Sequence, residues 1–178
     1  MRFFLTSDDP KSKARALTLS KKLNIEIFKK PPQKQIKEFS EDYFFTCSKG
    51  RLFLKKGLRQ NSKPIFSDFD DWAKNYDDNL LKNSTKGLPA NFSCLDLTAG
   101  FGKDALEISK VENCKSLVLV EKEAWVFELL VDGIKNISCS RAGGLLKKFK
   151  TINMDNLEFL ESKNETFDLI YIDPMFLG

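Results

Sequence analysis

From Phe92 onward, short apolar runs alternate with stretches of helical spacing, and this alternation restricts the possible folds more than any other feature of the chain. Residues 94–98 (CLDLT), 116–121 (SLVLVE), 151–154 (TINM) and 167–173 (FDLIYID) read as strands, and 103–110, 124–135 and 157–161 as helices. In 124–135, Trp125, Leu129, Leu130 and Ile134 fall on one side. Strands separated by helices pair in parallel through right-handed crossovers, and helices then cover both faces of the sheet. The expected class is α/β with a Rossmann-like, doubly wound, mostly parallel sheet, whose ligands belong at the carboxyl ends of the strands.

The front of the chain has a different texture. Residues 1–6 (MRFFLT) predict a strand, 12–23 a helix and 25–28 (IEIF) a second strand. The KKPPQK run at 29–34 is a breaker, because adjacent prolines remove donors and fix an extended backbone. Next, 43–47 (YFFTC) and 51–55 (RLFLK) flank Ser48-Lys49-Gly50, a hairpin pattern. Residues 57–91 are polar, with Ile65, Phe66, Phe69, Trp72 and Tyr76 as anchors and one helix expected over 69–81. The expected organisation is a small N-terminal α/β subdomain over 1–60, a connecting segment over 61–91 and a core over 92–178.

Composition then narrows the chemistry. The chain has no histidine, which removes Ser-His-Asp and Cys-His nucleophile systems and leaves carboxylates, lysines, hydroxyls and backbone dipoles. Cys47, Cys94, Cys114 and Cys139 lie far apart without a CxxC pair, so they read as reduced thiols of a cytoplasmic protein, and no metal is expected. No apolar run approaches the roughly 20 residues that span a bilayer. Charge is divided unevenly: residues 1–90 carry 19 basic and 11 acidic side chains, and residues 91–178 carry 10 and 14. Such a basic front half either attracts a polyanion or is an ordinary Lys-rich solvated surface.

The first core strand runs into DLTAGFGKD, residues 96–104, which supplies a carboxylate, a glycine turn and a helix start. Gly100 and Gly102 let the backbone approach a ligand closely. Glu121 ends the next strand 21 residues after Gly100, where an acidic side chain takes the hydroxyls of an adenosine ribose. That pairing is common to nicotinamide, flavin and S-adenosylmethionine sites. Two details favour the methyl donor. The third glycine of a pyrophosphate loop is missing, and the third strand ends in Asn153-Met154-Asp155-Asn156, polar groups suited to an adenine edge.

The fourth strand ends in Asp173-Pro174-Met175-Phe176, which resembles the D/N-P-P-Y/F motif of methyltransferases acting on amines of nucleic-acid bases or glutamine. An exocyclic amine is a poor nucleophile because its lone pair is delocalised into the ring. Asp173 and the carbonyl of Pro174 are placed to accept its two hydrogens, and Phe176 to stack on the base. With DLTAGFGKDAL (96–106), VEKE (120–123), LLVDG (129–133) and YIDPMF (171–176) together, the chain resembles the J family of 16S ribosomal RNA guanine-N2 methyltransferases. The similarity is strong over about the last 85 residues and limited upstream to a short α/β opening and IFSDF at 65–69.

The resemblance implies S-adenosylmethionine held by Gly100, Lys103, Asp104, Glu121, Lys122, Asp155, Asn156 and Asp173, with Asp173, Pro174 and Phe176 at the reacting amine. Asp104 is expected to meet the methionine ammonium and Lys103 its carboxylate. It also implies a small-subunit ribosomal RNA partner and strands beyond DPMF, so the sheet is expected to lack its last strands. The family's basic, glycine-rich stretch before the first motif is replaced by DDWAKNYDDNLLKNSTKG at 70–87. Other readings stay open: methylation of another amine such as adenine N6, or a non-catalytic RNA- or nucleoside-binding remnant.

Overall fold

The computed structural model describes residues 2–28, 38–57, 62–162 and 164–173. The KKPPQK run and Pro174, Met175 and Phe176 lie outside the described residues. The chain divides into two compact units, Met1–Phe66 and Ser67–Gly178.

The first unit opens with β1 (Phe3–Ser7), α1 (Pro10–Leu23) and β2 (Glu26–Ile27). Asp9 begins α1 by accepting the amide of Ser12 at 2.9 Å, and Asn24 ends it in the left-handed region with φ of 52°. Then β3 (Tyr43–Ser48) and β4 (Arg51–Lys56) form the expected antiparallel hairpin. Lys49 and Gly50 both have positive φ, 49° and 80°, the pair of conformations that matches a two-residue turn to strand twist. The sheet order is β2-β1-β3-β4, with β1 parallel to both β2 and β3. Leu5, Ala16, Leu19, Phe44, Phe45 and Leu54 form its buried interior.

The second unit contains α2 (Phe69–Asn75), α3 (Asn79–Ser84), β5 (Phe92–Asp96), α4 (Lys103–Ser109), β6 (Cys114–Glu121), α5 (Ala124–Lys135), α6 (Ser140–Leu146), β7 (Phe149–Asn153), α7 (Asn156–Ser162) and β8 (Leu169–Tyr171). Among the described residues its four strands are all parallel, in the order β7-β6-β5-β8. This is the expected Rossmann-like arrangement, and the order reverses between β5 and β8, which makes that gap the switch point. Side chains alternate in and out of the sheet. Cys94, Leu117 and Leu119 pack with Leu106 of α4 and Leu130 of α5 on one face. Leu95, Leu97, Val118 and Val120 pack with Phe159 of α7 on the other.

Two local expectations are corrected. The helix predicted over 69–81 is broken at Tyr76-Asp77-Asp78. The break is satisfied by α4: Lys110 Nζ donates to the carbonyl of Tyr76 at 2.6 Å, and Glu107 Oε2 accepts the amide of Asp78 at 3.1 Å. Asp78 then caps α3 by accepting from Leu80 and Leu81. The second is the addition of α6, over a segment, SRAGGLL, in which the sequence predicts no element; its two glycines are poor helix formers. Tertiary contacts hold it: Ala142 and Leu146 are buried, and Asp70 accepts the amides of Ser138 and Cys139.

Candidate active site

The register of β5 and β8 builds the site. Asp96 lies opposite Tyr171, and beyond that pair the two strand ends stay together. Leu97 donates its amide to the carbonyl of Tyr171 at 3.1 Å, and Asp173 donates its amide to Thr98 Oγ1 at 2.8 Å. The exposed carboxylate of Asp173 is thereby carried at the carboxyl edge of the sheet, beside the glycine loop.

The loop itself is held from three sides. Gly100 has φ of +53° and donates its amide to Glu121 Oε2 at 2.9 Å, so the acid ending β6 also fixes the turn after β5. The other Glu121 oxygen accepts the amide of Glu123 at 2.7 Å. Gly102 has φ of +83°, and a Cβ there would lie 2.6 Å from a methyl of Leu130 and 2.9 Å from the ring of Phe69. Only glycine fits. Ser67 Oγ donates to the carbonyl of Phe101 at 2.8 Å and braces the turn from outside.

At the end of β7, Asn153 Nδ2 donates to the carbonyls of Glu121 and Lys122 at 2.7 and 3.1 Å. Lys122 and Asp155 form an exposed ion pair at 3.0 Å, which draws the Asp155 carboxyl below the usual carboxylate range. Asp155 also accepts the amide of Leu157 at 2.9 Å, and Asn156 starts α7 beside it. The polar groups expected near an adenine edge therefore stand next to the acid expected at the ribose.

Asp96 lies under the loop and is almost fully buried, at 1% exposure. It accepts the amide of Thr98 at 2.9 Å. Burial pushes its carboxyl up to about 7, and the neighbouring carboxylates of Asp104, Glu121 and Asp173 push in the same direction. These four acids, contributed by β5, α4, β6 and the end of β8, converge on one region. Among the described residues no group of three or more acids or cysteines is arranged to hold a metal ion.

Of the residues expected from sequence, Gly100, Asp104, Glu121 and Asp173 meet around Asp96, and Lys122, Asp155 and Asn156 gather at the neighbouring strand end. Lys103 is half-buried, with its ammonium 3.7 Å from the centre of the Tyr76 ring. The roles expected of Pro174 and Phe176 fall on residues outside those described. Sequence reasoning noted a carboxylate at the start of DLTAGFGKD but gave Asp96 no role of its own. It also missed Tyr171, which donates its hydroxyl to Asp104 at 3.0 Å, and Thr98, which anchors Asp173. Tyr171 was signalled by its place two residues before Asp173, hence on the same side of the strand.

The donor set suits a nucleoside bearing an ammonium and a carboxylate: the partly exposed main chain at Gly100, acids at 104 and 121, and a cation at 103. The open space around Gly100, whose Cβ would meet only the carbonyl of Thr98 at 3.8 Å, lets such a ligand reach the main chain.

Comparison with known proteins points to the same class of cofactor. Residues 32–177 match the model of the family described as "Putative SAM-dependent methyltransferase". The chain is 25% identical over 168 residues to the ribosomal RNA small subunit methyltransferase J of Francisella tularensis subsp. holarctica, covering 86% of this chain and 69% of the relative. A protein of the same name from Francisella philomiragia is 34% identical over 83 residues, or 46% of this chain and 34% of the relative. The resemblance to the J family is borne out by these matches. A SAM-dependent methyltransferase from Neisseria gonorrhoeae superposes with a TM-score of 0.73 at 18% identity, covering 98% of this chain and 70% of the other, and so shares the fold.

Proposed function

Since the chain belongs to the S-adenosylmethionine-dependent methyltransferase family that its residues 32–177 match, we propose that it methylates the exocyclic N2 amine of a guanine in small-subunit (16S) ribosomal RNA. The single observation that carries the reading is the link from Asp173 to Thr98 at 2.8 Å, which sets an exposed carboxylate against the loop that the cofactor would occupy. The cofactor supplies an electrophilic methyl group on a sulfonium.

The chain's own residues do the rest. Asp173, with the carbonyl of Pro174, accepts the hydrogens of the amine and turns its lone pair outward; Phe176 stacks on the base. These last two assignments come from the resemblance alone. Glu121 accepts from the ribose hydroxyls, Asp155 and Asn156 face the adenine with Lys122 beside them, and Asp104 and Lys103 meet the ammonium and carboxylate. Catalysis then comes mainly from alignment of the amine with the methyl group. The substrate guanine must be unpaired or extruded to reach Asp173.

Three considerations support ribosomal RNA as the substrate and the cytoplasm as the place of action. One is the name of the Francisella relatives, ribosomal RNA small subunit methyltransferase J. Another is the excess of basic side chains in residues 1–90. The third is the amine-directed motif at 173–176. Among the described residues no helix is long and apolar enough to cross a membrane.

The test is to incubate the chain with small-subunit ribosomal RNA and isotopically labelled S-adenosylmethionine, then digest the RNA and identify the labelled nucleoside by mass. N2-methylguanosine is expected. Label in N6-methyladenosine would move the assignment to another amine. RNA binding without cofactor binding would make the chain a non-catalytic module.

A further inference from the structure

Besides Ser67 and Phe69 at the glycine loop, the segment before β5 reaches the first turn of α4 with the ring of Tyr76. Tyr76 sits at the break between α2 and α3, and its ring centre is 3.7 Å from Lys103 Nζ at the first turn of α4. That distance is within the range of a strong cation–π contact. The ring is held in place by the main chain on either side of it. Lys110 Nζ donates to the carbonyls of Tyr76 and Trp72 at 2.6 and 3.3 Å and pairs with Glu107, whose other oxygen accepts the amide of Asp78. Glu107 is fully buried and Lys110 nearly so, so this clamp works away from solvent screening. The hydroxyl end is fixed too, donating to Asp78 Oδ2 at 3.3 Å. Burial, together with the acids Asp78, Asp104 and Glu107 around the ring, pushes the phenol above its usual range, so it stays neutral.

A lysine side chain has four rotatable bonds, and a free one would sample many positions before meeting an anion. Seated on the Tyr76 ring, with the carboxylate of Asp78 near it, the ammonium of Lys103 is held at the first turn of α4, where Tyr171 fixes the neighbouring residue Asp104. From this arrangement we infer that Tyr76 is a positioning residue of the cofactor site, acting through Lys103 on the carboxylate of the cofactor's amino-acid end. The inference rests on the reading that Lys103 meets that carboxylate.

Binding of S-adenosylhomocysteine and of methylthioadenosine, which lacks the amino-acid end, is measured by calorimetry on the full chain. Tyr76→Leu should weaken S-adenosylhomocysteine about fivefold, the size of one partly buried cation–π contact. Tyr76→Phe keeps the ring and should restore affinity to within about twofold of the wild type. Lys103→Met should weaken S-adenosylhomocysteine at least as much as Tyr76→Leu, and Tyr76→Leu should add no further loss in its presence. Methylthioadenosine should bind all five proteins, the double variant included, alike. Unchanged S-adenosylhomocysteine affinity in Tyr76→Leu alongside a loss in Lys103→Met overturns the role of Tyr76 alone. Equal losses of both ligands in Tyr76→Leu also overturn it, since the ring would then only support the fold. Unchanged affinity in Lys103→Met overturns the reading of Lys103 and the inference with it.

Discussion

Tyr171 donates its hydroxyl to Asp104 at 3.0 Å, joining the last described strand of the sheet to the first turn after the glycine loop. The two residues are 67 positions apart. Burial and the nearby acids raise the Tyr171 phenol above its usual range, so it remains a donor at neutral pH. Tyr171→Phe should leave the Asp104 carboxylate unanchored and cost about 2 kcal/mol of stability, as for other hydrogen bonds to a charged group. Urea denaturation measures the stability, and calorimetry should show weaker S-adenosylhomocysteine binding.

Glu121 is expected to serve the ribose while also holding the turn through Gly100 and Glu123. Glu121→Ala removes both functions and should weaken S-adenosylmethionine binding by more than about tenfold, since a charge-assisted pair of hydrogen bonds is lost. Glu121→Gln keeps one acceptor oxygen and should lie between. Equal affinity for wild type and Glu121→Ala would remove Glu121 from the site.

The buried Asp96 gives a pH signature. Its carboxyl titrates at about 7 in the folded protein, above the usual value near about 4, so between these limits the folded chain holds a proton that the unfolded chain has lost. The contribution of this group to stability is therefore fully present below about pH 4 and declines as pH rises through about 7. Asp96→Asn keeps the acceptor for the amide of Thr98 but cannot ionise. Its Tm relative to wild type should rise steadily from about pH 4 to about pH 8. A difference in Tm that does not depend on pH would contradict a raised Asp96.

The Lys110–Glu107 pair is a buried pair whose removal from one side is costly. Lys110→Met strands a fully buried carboxylate and releases the carbonyls of Trp72 and Tyr76, so a loss of about 3 kcal/mol is expected by urea denaturation. Lys110→Met combined with Glu107→Gln should recover part of it, because the uncompensated charge is then gone.

The parts of the fold legible in sequence are those in which local pattern and tertiary packing ask for the same thing. Strands β5 and β6 alternate two buried faces, helix α5 presents one apolar side, and the Lys49-Gly50 turn joins two strands. The break at Tyr76–Asp78 was not legible, because α4 satisfies its backbone groups from about 30 residues away. Helix α6 was hidden for a similar reason: the turn leading into it is held by Asp70, 68 residues from Ser138. At the site, the glycine turn, Glu121 and Asp173 announce themselves by their positions at strand ends. Thr98 does not, since a threonine meets Asp173 only through the strand order that sets β8 beside β5.

The central claim is methyl transfer to guanine with Asp173 at the reacting amine, and it is tested most directly by comparing wild type with Asp173→Ala on small-subunit ribosomal RNA. Labelled methyl is followed into nucleosides, and S-adenosylhomocysteine binding is measured in parallel. The wild type should yield N2-methylguanosine. Asp173→Ala should retain its fold and lose at least about a hundredfold in rate, as expected when a group acting on the reacting atoms is removed. Equal rates for the two proteins, or wild-type label on any nucleoside other than guanosine, would contradict the account.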